Sequence, residues 1–217
     1  MNYRVPFAVM LKATILFALL FAQSSMAMDG DARYSFLGYS LAFPPENGSP
    51  VDLSDEATLR FFQANRTEAQ CARAEYENTI DLNNMYGPET GVLTAEEVKE
   101  SDSDAQAIIN KVGLITGEFK IRFERPRPYN DYPGLSPCIT KPFDSTFGMR
   151  MSYPSSYASI STVLEAFLTK RYPKKSALIK KQSKQLCTDR VLGGVHHPSD
   201  IEAGLDLGQQ IIERDGY

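Results

Sequence analysis

The sequence predicts an all-α protein folded as a single helical bundle. Apolar residues recur at the three- and four-residue spacing of helices in several segments, and residues that favour helix starts precede them. The longest apolar stripe predicts a central helix, and its members are Ala105, Ile108, Ile109, Val112, Ile115 and Phe119. The sequence contains no alternating strand pattern of useful length, no internal repeat and no low-complexity tract.

Residues 1–27 have the pattern of a secretory signal peptide. Two positive charges precede an apolar core over 13–22, and Ser25-Met26-Ala27 fits a small-x-small cleavage site. An uncleaved anchor is the alternative because the residues before Lys12 are also apolar, but this charge interrupts them and favours cleavage. No later segment approaches the ~20 apolar residues of a membrane helix. We therefore expect a periplasmic or secreted protein whose mature domain spans 28–217, with no stable membrane insertion.

The mature chain would have 190 residues, enough for one domain with a substantial core. Removing the signal changes the net charge from −4 to −6, and no basic run resembles a phosphate-backbone footprint, so nothing indicates nucleic acid. Three cysteines, Cys71, Cys138 and Cys187, allow one disulfide in an exported chain. Pairing of Cys138 with Cys187 is the prediction, because both flank candidate site segments, although the sequence alone leaves the pairing open.

Several segments precede the central helix. In chain order they are an extended arm over 29–40, a loop rich in breakers over 43–50, a helix from Ser54 with Ala57, Phe61 and Phe62 on one face, a second helix running towards Ile80 and an irregular break over 83–91. Thr67 is the predicted cap of the second helix. Thr94, with Glu97 three residues later, forms a capping-box pattern that starts the central helix.

The central helix ends in a basic cluster. Its members are Lys120, Arg122, Arg125 and Arg127, and Pro126 and Pro128 stop the helix. The segment 129–145 is rich in Pro, Gly and Asp, and its length fits a lid or a wall of a site. We predict that Arg122 and Arg125 are surface charges or supports behind the site.

Three more helices complete the chain. Pro154-Ser155-Ser156 opens the first of them, and Tyr172-Pro173 ends it. The second covers 174–192, and the third begins at Ser199, a favoured N-cap residue.

Both histidines of the chain lie in one stretch, Arg190 to Asp200, with the sequence RVLGGVHHPSD. Asp200 follows His196 by four residues. A carboxylate there can bind one ring nitrogen, fix the tautomer and leave the other nitrogen free to attack. Arg190 would supply a planar fork of donors for an oxyanion such as phosphate. The alternative is a loop with two surface histidines and a capping aspartate. We predict that His197 is a wall residue rather than a catalyst.

Three segments together resemble the signature of the phosphatidic acid phosphatase type 2 superfamily. That signature runs Lys-x6-Arg-Pro, then Pro-Ser-Gly-His, then Ser-Arg-x5-His-x3-Asp. The corresponding positions here are Lys120 with Arg127-Pro128, then Pro154-Ser155-Ser156-Tyr157, then Arg190, His196 and Asp200. The spacings of the first and third segments match in full, and the resemblance covers nearly all of the mature chain. Exported bacterial class A acid phosphatases are the most similar members, so the resemblance implies their helical bundle, which vanadium haloperoxidases share.

The resemblance also implies a phosphomonoester hydrolase that works through a phosphohistidine. His196 would attack phosphorus, and Asp200 would orient it and stabilise its cationic form. The phosphate oxygens would bind the side chains of Lys120, Arg127 and Arg190, the hydroxyl of Ser155 and the amide of Ser156. Fixed cationic donors suit a transition state that spreads charge over the equatorial oxygens. No cofactor or metal is implied, and the sequence has no cluster with metal-ligand spacing.

This chain departs from the family pattern in three places. Tyr157 stands where the family has the histidine that protonates the leaving oxygen, and a phenol of pKa ~10 is a poor acid at neutral pH. General acid catalysis contributes ~10²–10⁴-fold, so poor leaving groups should suffer most. Ser156 replaces glycine and adds a side chain where the backbone approaches phosphate. Asp189 replaces serine and is expected to pair with a cation of the site.

Two hypotheses follow from these departures. The first is a phosphatase that is slowed and biased towards activated esters. The second is a catalytically inactive relative that binds phosphate or another anion. A vanadium-dependent haloperoxidase is disfavoured because it also uses the missing histidine. The expected partner is a small soluble phosphomonoester or inorganic phosphate, and the oligomeric state, including a homo-oligomer, stays open.

Overall fold

The computed structural model describes residues 32–140 and 150–217. The predicted signal peptide, and the end of the loop predicted over 129–145, lie outside the described residues. The helices are α1 (Pro50–Asn65), α2 (Glu68–Tyr76), α3 (Leu82–Tyr86), α4 (Ala95–Phe123), α5 (Pro128–Asp131), α6 (Ser156–Arg171), α7 (Ser176–Leu192) and α8 (Pro198–Asp215). Two 3-10 turns, Pro88–Thr90 and Pro173–Lys175, and a hairpin of β1 (Arg33–Phe36) and β2 (Tyr39–Ala42) complete the elements of these ranges. The predicted all-α bundle is confirmed.

The central helix α4 begins and is buried as the sequence predicts. Glu97 donates its backbone N–H to Thr94 Oγ1 at 3.2 Å, and Thr94 donates its own to Glu97 Oε2 at 2.7 Å, so the capping box is confirmed. All six residues of the predicted apolar stripe are buried. Glu124 ends the helix in the left-handed region at φ 46°, which turns the following basic residues back towards the bundle.

Helix α6 lies at the centre and contacts α4, α7 and α8. Two glycines of α8 allow that helix to approach α6 closely. A Cβ on Gly204 would lie 2.5 Å from the carbonyl oxygen of Ser155, and one on Gly208 would lie 2.6 Å from Thr162. The close approach lets Ser155 donate its backbone N–H to the carbonyl of Asp200 at 2.8 Å. It therefore joins the start of α6 to the first turn of α8.

The arm predicted near the N-terminus is a short antiparallel hairpin. Arg33 pairs with Ala42 and Phe36 with Tyr39. Strands of only four residues carry too little alternation to be recognised in the sequence. The hairpin is fixed to α8 because the side-chain amide of Gln210 exchanges two hydrogen bonds of 2.9 Å with the backbone of Ser40.

The predicted disulfide is wrong. Cys138 pairs with Cys71, and Cys187 is a free, buried thiol whose sulfur lies 3.7 Å from the hydroxyl of Ser161. Cys187 lies in the interior beside Ser161 of α6, whereas the sulfur of Cys138 is bonded to Cys71. The bond ties α2 to the loop after α5, which donates the backbone N–H of Cys138 to the carbonyl of Gly193 at 3.0 Å.

Several predicted helix starts and faces need correction. Helix α1 begins at Pro50 because Ser49 caps it, and the predicted break over 83–91 contains α3 and a 3-10 turn. Helix α8 begins at Pro198 with His197 as its N-cap, not Ser199. The face predicted for α1 is also wrong: its buried residues are Asp52, Asp55 and Leu59. No helix in the described ranges is both long and apolar enough to cross a membrane.

Candidate active site

Backbone hydrogen bonds bring the three motif segments into contact. Ser152, in the segment before α6, donates its N–H to the carbonyl of Arg125 at 3.0 Å, just after α4. Ser155 binds the carbonyl of Asp200 in α8, as described above. The chain between α7 and α8 folds back on itself, and the N–H groups of Val195 and His196 reach the carbonyl of Arg190 at 3.1 and 3.3 Å. The ends of α4, α6, α7 and α8 thus meet at one place.

His196 is buried between a carboxylate and a cation. Its Nδ1 lies 3.2 Å from Asp200 Oδ2, and its Nε2 lies 3.2 Å from Arg127 Nη1. Arginine has donors only, so Nε2 accepts and the ring proton resides on Nδ1, facing Asp200. Burial and the charge of Arg127 lower the pKa of His196 well below its ordinary value. The imidazole is therefore neutral, with the lone pair of Nε2 directed away from Asp200.

Asp200 is fully buried, and donors surround both of its oxygens. Oδ1 accepts from Arg125 Nη1 at 2.7 Å. Oδ2 accepts from His196 Nδ1, from the hydroxyl of Ser152, and from both the backbone N–H and Nδ1 of His197, at 2.8 and 3.1 Å. Burial opposes ionisation, but the charge of Arg125 and these bonds hold the pKa of Asp200 well below its usual range.

His197 is buried like its neighbour but has carboxylates on both sides. Its Nδ1 faces Asp200 and its Nε2 lies 3.3 Å from Asp131 Oδ2, while the ring of Tyr132 packs edge-on at 5.5 Å. Burial alone would lower the pKa of His197, yet the charge of Asp200 and the proximity of both carboxylates raise it. The buried ring of His197 supports the carboxylate of Asp200, so the alternative of a surface histidine is wrong for this residue.

Lys120 and Arg127 bind the same stretch of backbone. Lys120 Nζ donates to the carbonyls of Met151 and Ser152 at 2.6 and 3.2 Å. Arg127 donates to the carbonyls of Val195 and Met151 at 2.7 and 3.2 Å. Burial and the nearby charge of Arg127 lower the pKa of Lys120 well below its ordinary value. The two cations lie side by side next to His196.

Arg190 is fully buried and held by the end of α2. Its Nη1 donates to Asn78 Oδ1 at 2.8 Å, and its Nη2 donates to the carbonyl of Ala74. Its guanidinium stacks on the ring of Tyr157, 4.4 Å from the centroid. Among the described residues its Nε has no hydrogen-bond partner. Burial lowers the pKa of Arg127, and the charge of Arg190 adds to this to a smaller degree.

The start of α6 supplies the uncharged hydrogen-bonding groups of the candidate site. Ser155 is the N-cap, and its hydroxyl oxygen accepts the N–H of Ala158 at 3.3 Å. Ser156 is the first residue of the helix, where the backbone N–H has no partner within the helix. Burial raises the pKa of Tyr157 to about 12, and its hydroxyl has no hydrogen-bond partner in the described part of the chain.

Asp189 does not pair with a cation of the site, which corrects the prediction. It accepts two hydrogen bonds from Arg73 of α2, at 2.7 and 2.8 Å, and one from Gln185 at 2.9 Å. This pair lies on the α2 side of α7, because Asp189 precedes Arg190 and the two side chains leave the helix at different angles. The substitution of serine by Asp189 therefore adds a contact between α2 and α7.

Known proteins of similar sequence are acid phosphatases. No family model matches the chain. It is 27% identical over 190 residues to a non-specific acid phosphatase of Providencia stuartii, covering 85% of this chain and 73% of that protein. It is 24% identical over 168 residues to an acid phosphatase of Zymomonas mobilis, covering 76% and 63%, and 25% identical over 171 residues to a non-specific acid phosphatase of Salmonella typhi, covering 76% and 67%. The chain thus spans about two thirds of the length of these relatives.

A solved structure has the same fold. It is a transmembrane phosphatidylglycerolphosphate phosphatase of the PAP2 type from Bacillus subtilis, with a TM-score of 0.51, 16% identity and coverage of 95% of each chain. Together with the acid phosphatases, this structure supports a place for the chain in the phosphatidic acid phosphatase type 2 superfamily. These similarities agree with the motif spacings and with the helical bundle on which the motif residues meet.

Sequence reasoning missed part of what surrounds the superfamily motif residues. Arg125 is buried and supports Asp200, which is one of the two roles expected for it, whereas Arg122 is exposed over the rings of Tyr34 and Phe43. The sequence patterns assigned no role to Asp55 of α1. Its spacing from Asp52 and Leu59 on one helix face was the available signal, since a carboxylate on a buried face requires a cationic partner.

Proposed function

We propose that this protein is a phosphatase of the phosphatidic acid phosphatase type 2 superfamily, which hydrolyses phosphomonoesters through a phosphohistidine on His196. The observation that carries the proposal is the neutral imidazole, with its proton on the side of Asp200 and its Nε2 lone pair beside Arg127. The names of the relatives, acid phosphatase and non-specific acid phosphatase, support the same reaction class.

In the first step Nε2 of His196 attacks phosphorus, and the bond from phosphorus to the ester oxygen breaks. The imidazole becomes cationic as it carries the phosphoryl group, and Asp200 stabilises that charge through Nδ1–H. Water then attacks the phosphohistidine, releasing inorganic phosphate and restoring the neutral ring. No metal or other cofactor takes part in this scheme.

The transferred phosphoryl group would bind where Arg127 now meets His196. Lys120, Arg127 and Arg190 supply positive charge, and Nε of Arg190 is a buried donor that needs an acceptor. The hydroxyl of Ser155 and the backbone N–H of Ser156 add donors at the start of α6, where the helix dipole also favours an anion. These fixed donors would hold the equatorial oxygens of the transition state, over which its charge is spread, without having to reorganise during the reaction.

Protonation of the leaving group is the weak step. The superfamily pattern has histidine at the position of Tyr157, whose pKa of about 12 makes it a poor proton donor at neutral pH. Aryl and other activated esters need little protonation of the leaving oxygen, so they would be hydrolysed much faster than alkyl esters. The proposed substrates are small soluble phosphomonoesters with good leaving groups.

We propose that the protein acts after export, in the periplasm or outside the cell. The disulfide between Cys71 and Cys138 supports this location, because such bonds persist in oxidising compartments. The sequence pattern of residues 1–27 supports it independently. We propose no contact with nucleic acid and no stable membrane insertion after signal cleavage.

The second candidate is an inactive relative that binds phosphate or another anion. The burial and the high pKa of Tyr157 favour this candidate, since both make the hydroxyl a poor acid. The cationic residues would keep their affinity for phosphate in such a protein.

One set of assays separates the two candidates. The mature chain 28–217 is tested on p-nitrophenyl phosphate and on an alkyl phosphate, beside His196→Ala, Tyr157→His and the surface control Arg122→Gln. The phosphatase proposal expects hydrolysis of the aryl ester, loss in His196→Ala and a selective gain on the alkyl ester in Tyr157→His. No turnover by the parent chain or by Tyr157→His, with vanadate or phosphate still bound, would favour the inactive relative.

A further inference from the structure

Behind Asp200 lies a second buried ion pair that no motif residue explains. Arg125 Nη1 donates to Asp200 Oδ1 and to the hydroxyl of Ser199, each at 2.7 Å. Arg125 Nη2 donates to Asp55 Oδ2 at 3.1 Å and lies 3.7 Å from Asp52 Oδ1. The guanidinium is 5% exposed, so its charge is compensated entirely by protein groups.

Asp55 fixes this arrangement from the other side. Its Oδ1 accepts the backbone N–H of Ser199 at 3.1 Å, and its Oδ2 accepts both the hydroxyl of Ser199 and Arg125. Ser199 lies in the first turn of α8, directly before Asp200. One carboxylate of α1 therefore holds both the start of α8 and the guanidinium that contacts Asp200.

The contact with Arg125 determines which oxygen of the Asp200 carboxylate is available to the histidines. Oδ1 is occupied by Arg125, so Oδ2 alone faces the histidines. At Oδ2 the Nδ1 atoms of His196 and His197 compete, at 3.2 and 3.1 Å. A carboxylate that could rotate would bind one histidine at the expense of the other, and His196 would lose the bond that keeps its proton on Nδ1.

We infer that Asp55 and Arg125 are positioning residues, which hold the Asp200 carboxylate in the plane that keeps His196 in its nucleophilic tautomer. The inference rests on the proposed function of His196. Neither residue is among those that would contact phosphate. Their loss should therefore lower kcat and leave KM and phosphate affinity nearly unchanged.

The decisive variant is Asp55→Asn, which is isosteric but removes the carboxylate charge that holds Arg125 against Asp200. Arg125→Lys is the companion variant, because lysine keeps the charge but cannot hold Asp55 and Asp200 with one planar fork. Arg122→Gln is the matched control, since Arg122 is an exposed arginine three residues before Arg125 and outside the network.

The first readout is the tautomer, measured by nitrogen-15 NMR of the imidazole rings. The chain has only two histidines, so His197→Gln assigns the signals. The parent and Arg122→Gln should show His196 protonated at Nδ1, and Asp55→Asn and Arg125→Lys should show a population protonated at Nε2. This measurement needs no turnover, so it tests the positioning role even if the parent chain hydrolyses no ester. An unchanged His196 tautomer in Asp55→Asn would overturn the inference.

The second readout is the rate on p-nitrophenyl phosphate across pH. Partners that orient metal ligands contribute about 10- to 100-fold, and by analogy kcat in Asp55→Asn should fall by about that factor, with a shifted pH profile. A folded Asp55→Asn with parental kcat would contradict the inference. Failure of Asp55→Asn to fold, monitored by near-ultraviolet circular dichroism, would also overturn it, because the role would then be structural. Absence of activity in the parent would defeat the proposed function instead.

Discussion

The guanidinium of Arg190 lies against the ring of Tyr157, with 4.4 Å between its central carbon and the ring centroid. Each side chain keeps one polar atom without a hydrogen-bond partner in the described part of the chain, Nε of Arg190 and the hydroxyl of Tyr157. The ring thus supports the cation by stacking, and not through its hydroxyl. The roles of the ring and of the hydroxyl can therefore be separated by substitution.

Removal of the hydroxyl alone should be harmless. We expect Tyr157→Phe to keep the parental rate on p-nitrophenyl phosphate, and to leave unchanged or raise the free energy of unfolding, because an unsatisfied buried group disappears. Tyr157→Ala should lower that free energy by about 3–5 kcal/mol, the usual cost of truncating a buried aromatic ring, and should weaken phosphate binding. Urea denaturation and calorimetric titration with phosphate measure both. A slower Tyr157→Phe would instead assign proton donation to the hydroxyl.

The disulfide should stabilise the protein and the position of Arg190 together. It ties α2, whose carbonyl of Ala74 holds the guanidinium, to a loop 67 residues away in sequence. We expect the double variant Cys71→Ala and Cys138→Ala to lose about 4 kcal/mol in the free energy of unfolding, because a loop of this length is no longer closed in the unfolded chain.

The same double variant should bind phosphate more weakly than the parent. Urea denaturation and calorimetric titration with phosphate measure the two effects, and Cys187→Ala, which removes a free thiol, is the control. Equal phosphate affinity in the double variant and the parent would show that α2 does not need the disulfide to hold Arg190.

Glu77 should make the protein less stable as pH rises. Burial and the charge of Asp189 raise the pKa of Glu77 from 4.5 to about 7. The folded state then binds a proton that the unfolded state has lost between these pH values, so the free energy of unfolding falls across this window. The fall attributable to Glu77 is roughly 3 kcal/mol at most.

The substitution Glu77→Gln mimics the protonated carboxyl and should remove this part of the pH dependence. Urea denaturation of the parent and the variant at pH 5 and pH 8 measures it, with Glu68→Gln on the exposed face of α2 as the control. Parallel stability curves for the parent and Glu77→Gln would contradict the expectation.

His197 should contribute stability mainly at acid pH. Its pKa is raised because the charge of Asp200 and the contacts with Asp131 and Asp200 outweigh burial. A raised histidine pKa adds stability that is fully present below the unfolded value near 6.5 and is lost as pH rises through the folded value. We therefore expect His197→Gln to destabilise the protein more at pH 5 than at pH 8. Thermal denaturation at both values measures this, and an equal loss at both would mean that the ring is neutral in the folded protein.

The parts of the fold that the sequence predicts are those determined by local patterns. Helix α4 could be predicted because its apolar stripe and its capping box, Thr94 with Glu97, lie within one continuous segment. The start of α6 at Ser155 could be predicted for the same reason. The hairpin could not, because strands of four residues depend on docking against α8 more than on their own alternation.

The parts that could not be predicted depend on contacts between distant residues. The choice of Cys71 as the partner of Cys138 follows from where α2 packs, and no spacing encodes it. Helix α1 buries Asp55, although a buried helix face usually carries apolar residues, because Arg125 supplies its charge from the far end of α4. A sequence pattern cannot assign a buried carboxylate until its partner is known.

The close approach of α6 and α8 should require glycine at position 204. A Cβ at Gly204 would meet the carbonyl oxygen of Ser155 at 2.5 Å, whereas one at Gly113 on α4 would meet no atom within 4 Å. Alanine is favoured over glycine in helices by about 1 kcal/mol, so Gly113→Ala should raise the free energy of unfolding by about that amount and leave activity unchanged.

Gly204→Ala has the same helix preference, but it forces α8 away from Ser155 and so lengthens the bond between Ser155 N–H and the carbonyl of Asp200. We expect it to lower both the free energy of unfolding and the rate on p-nitrophenyl phosphate, measured by urea denaturation and steady-state kinetics. Equal free energies of unfolding and equal rates for Gly204→Ala and Gly113→Ala would show that the spacing of α6 and α8 does not determine the geometry of the site.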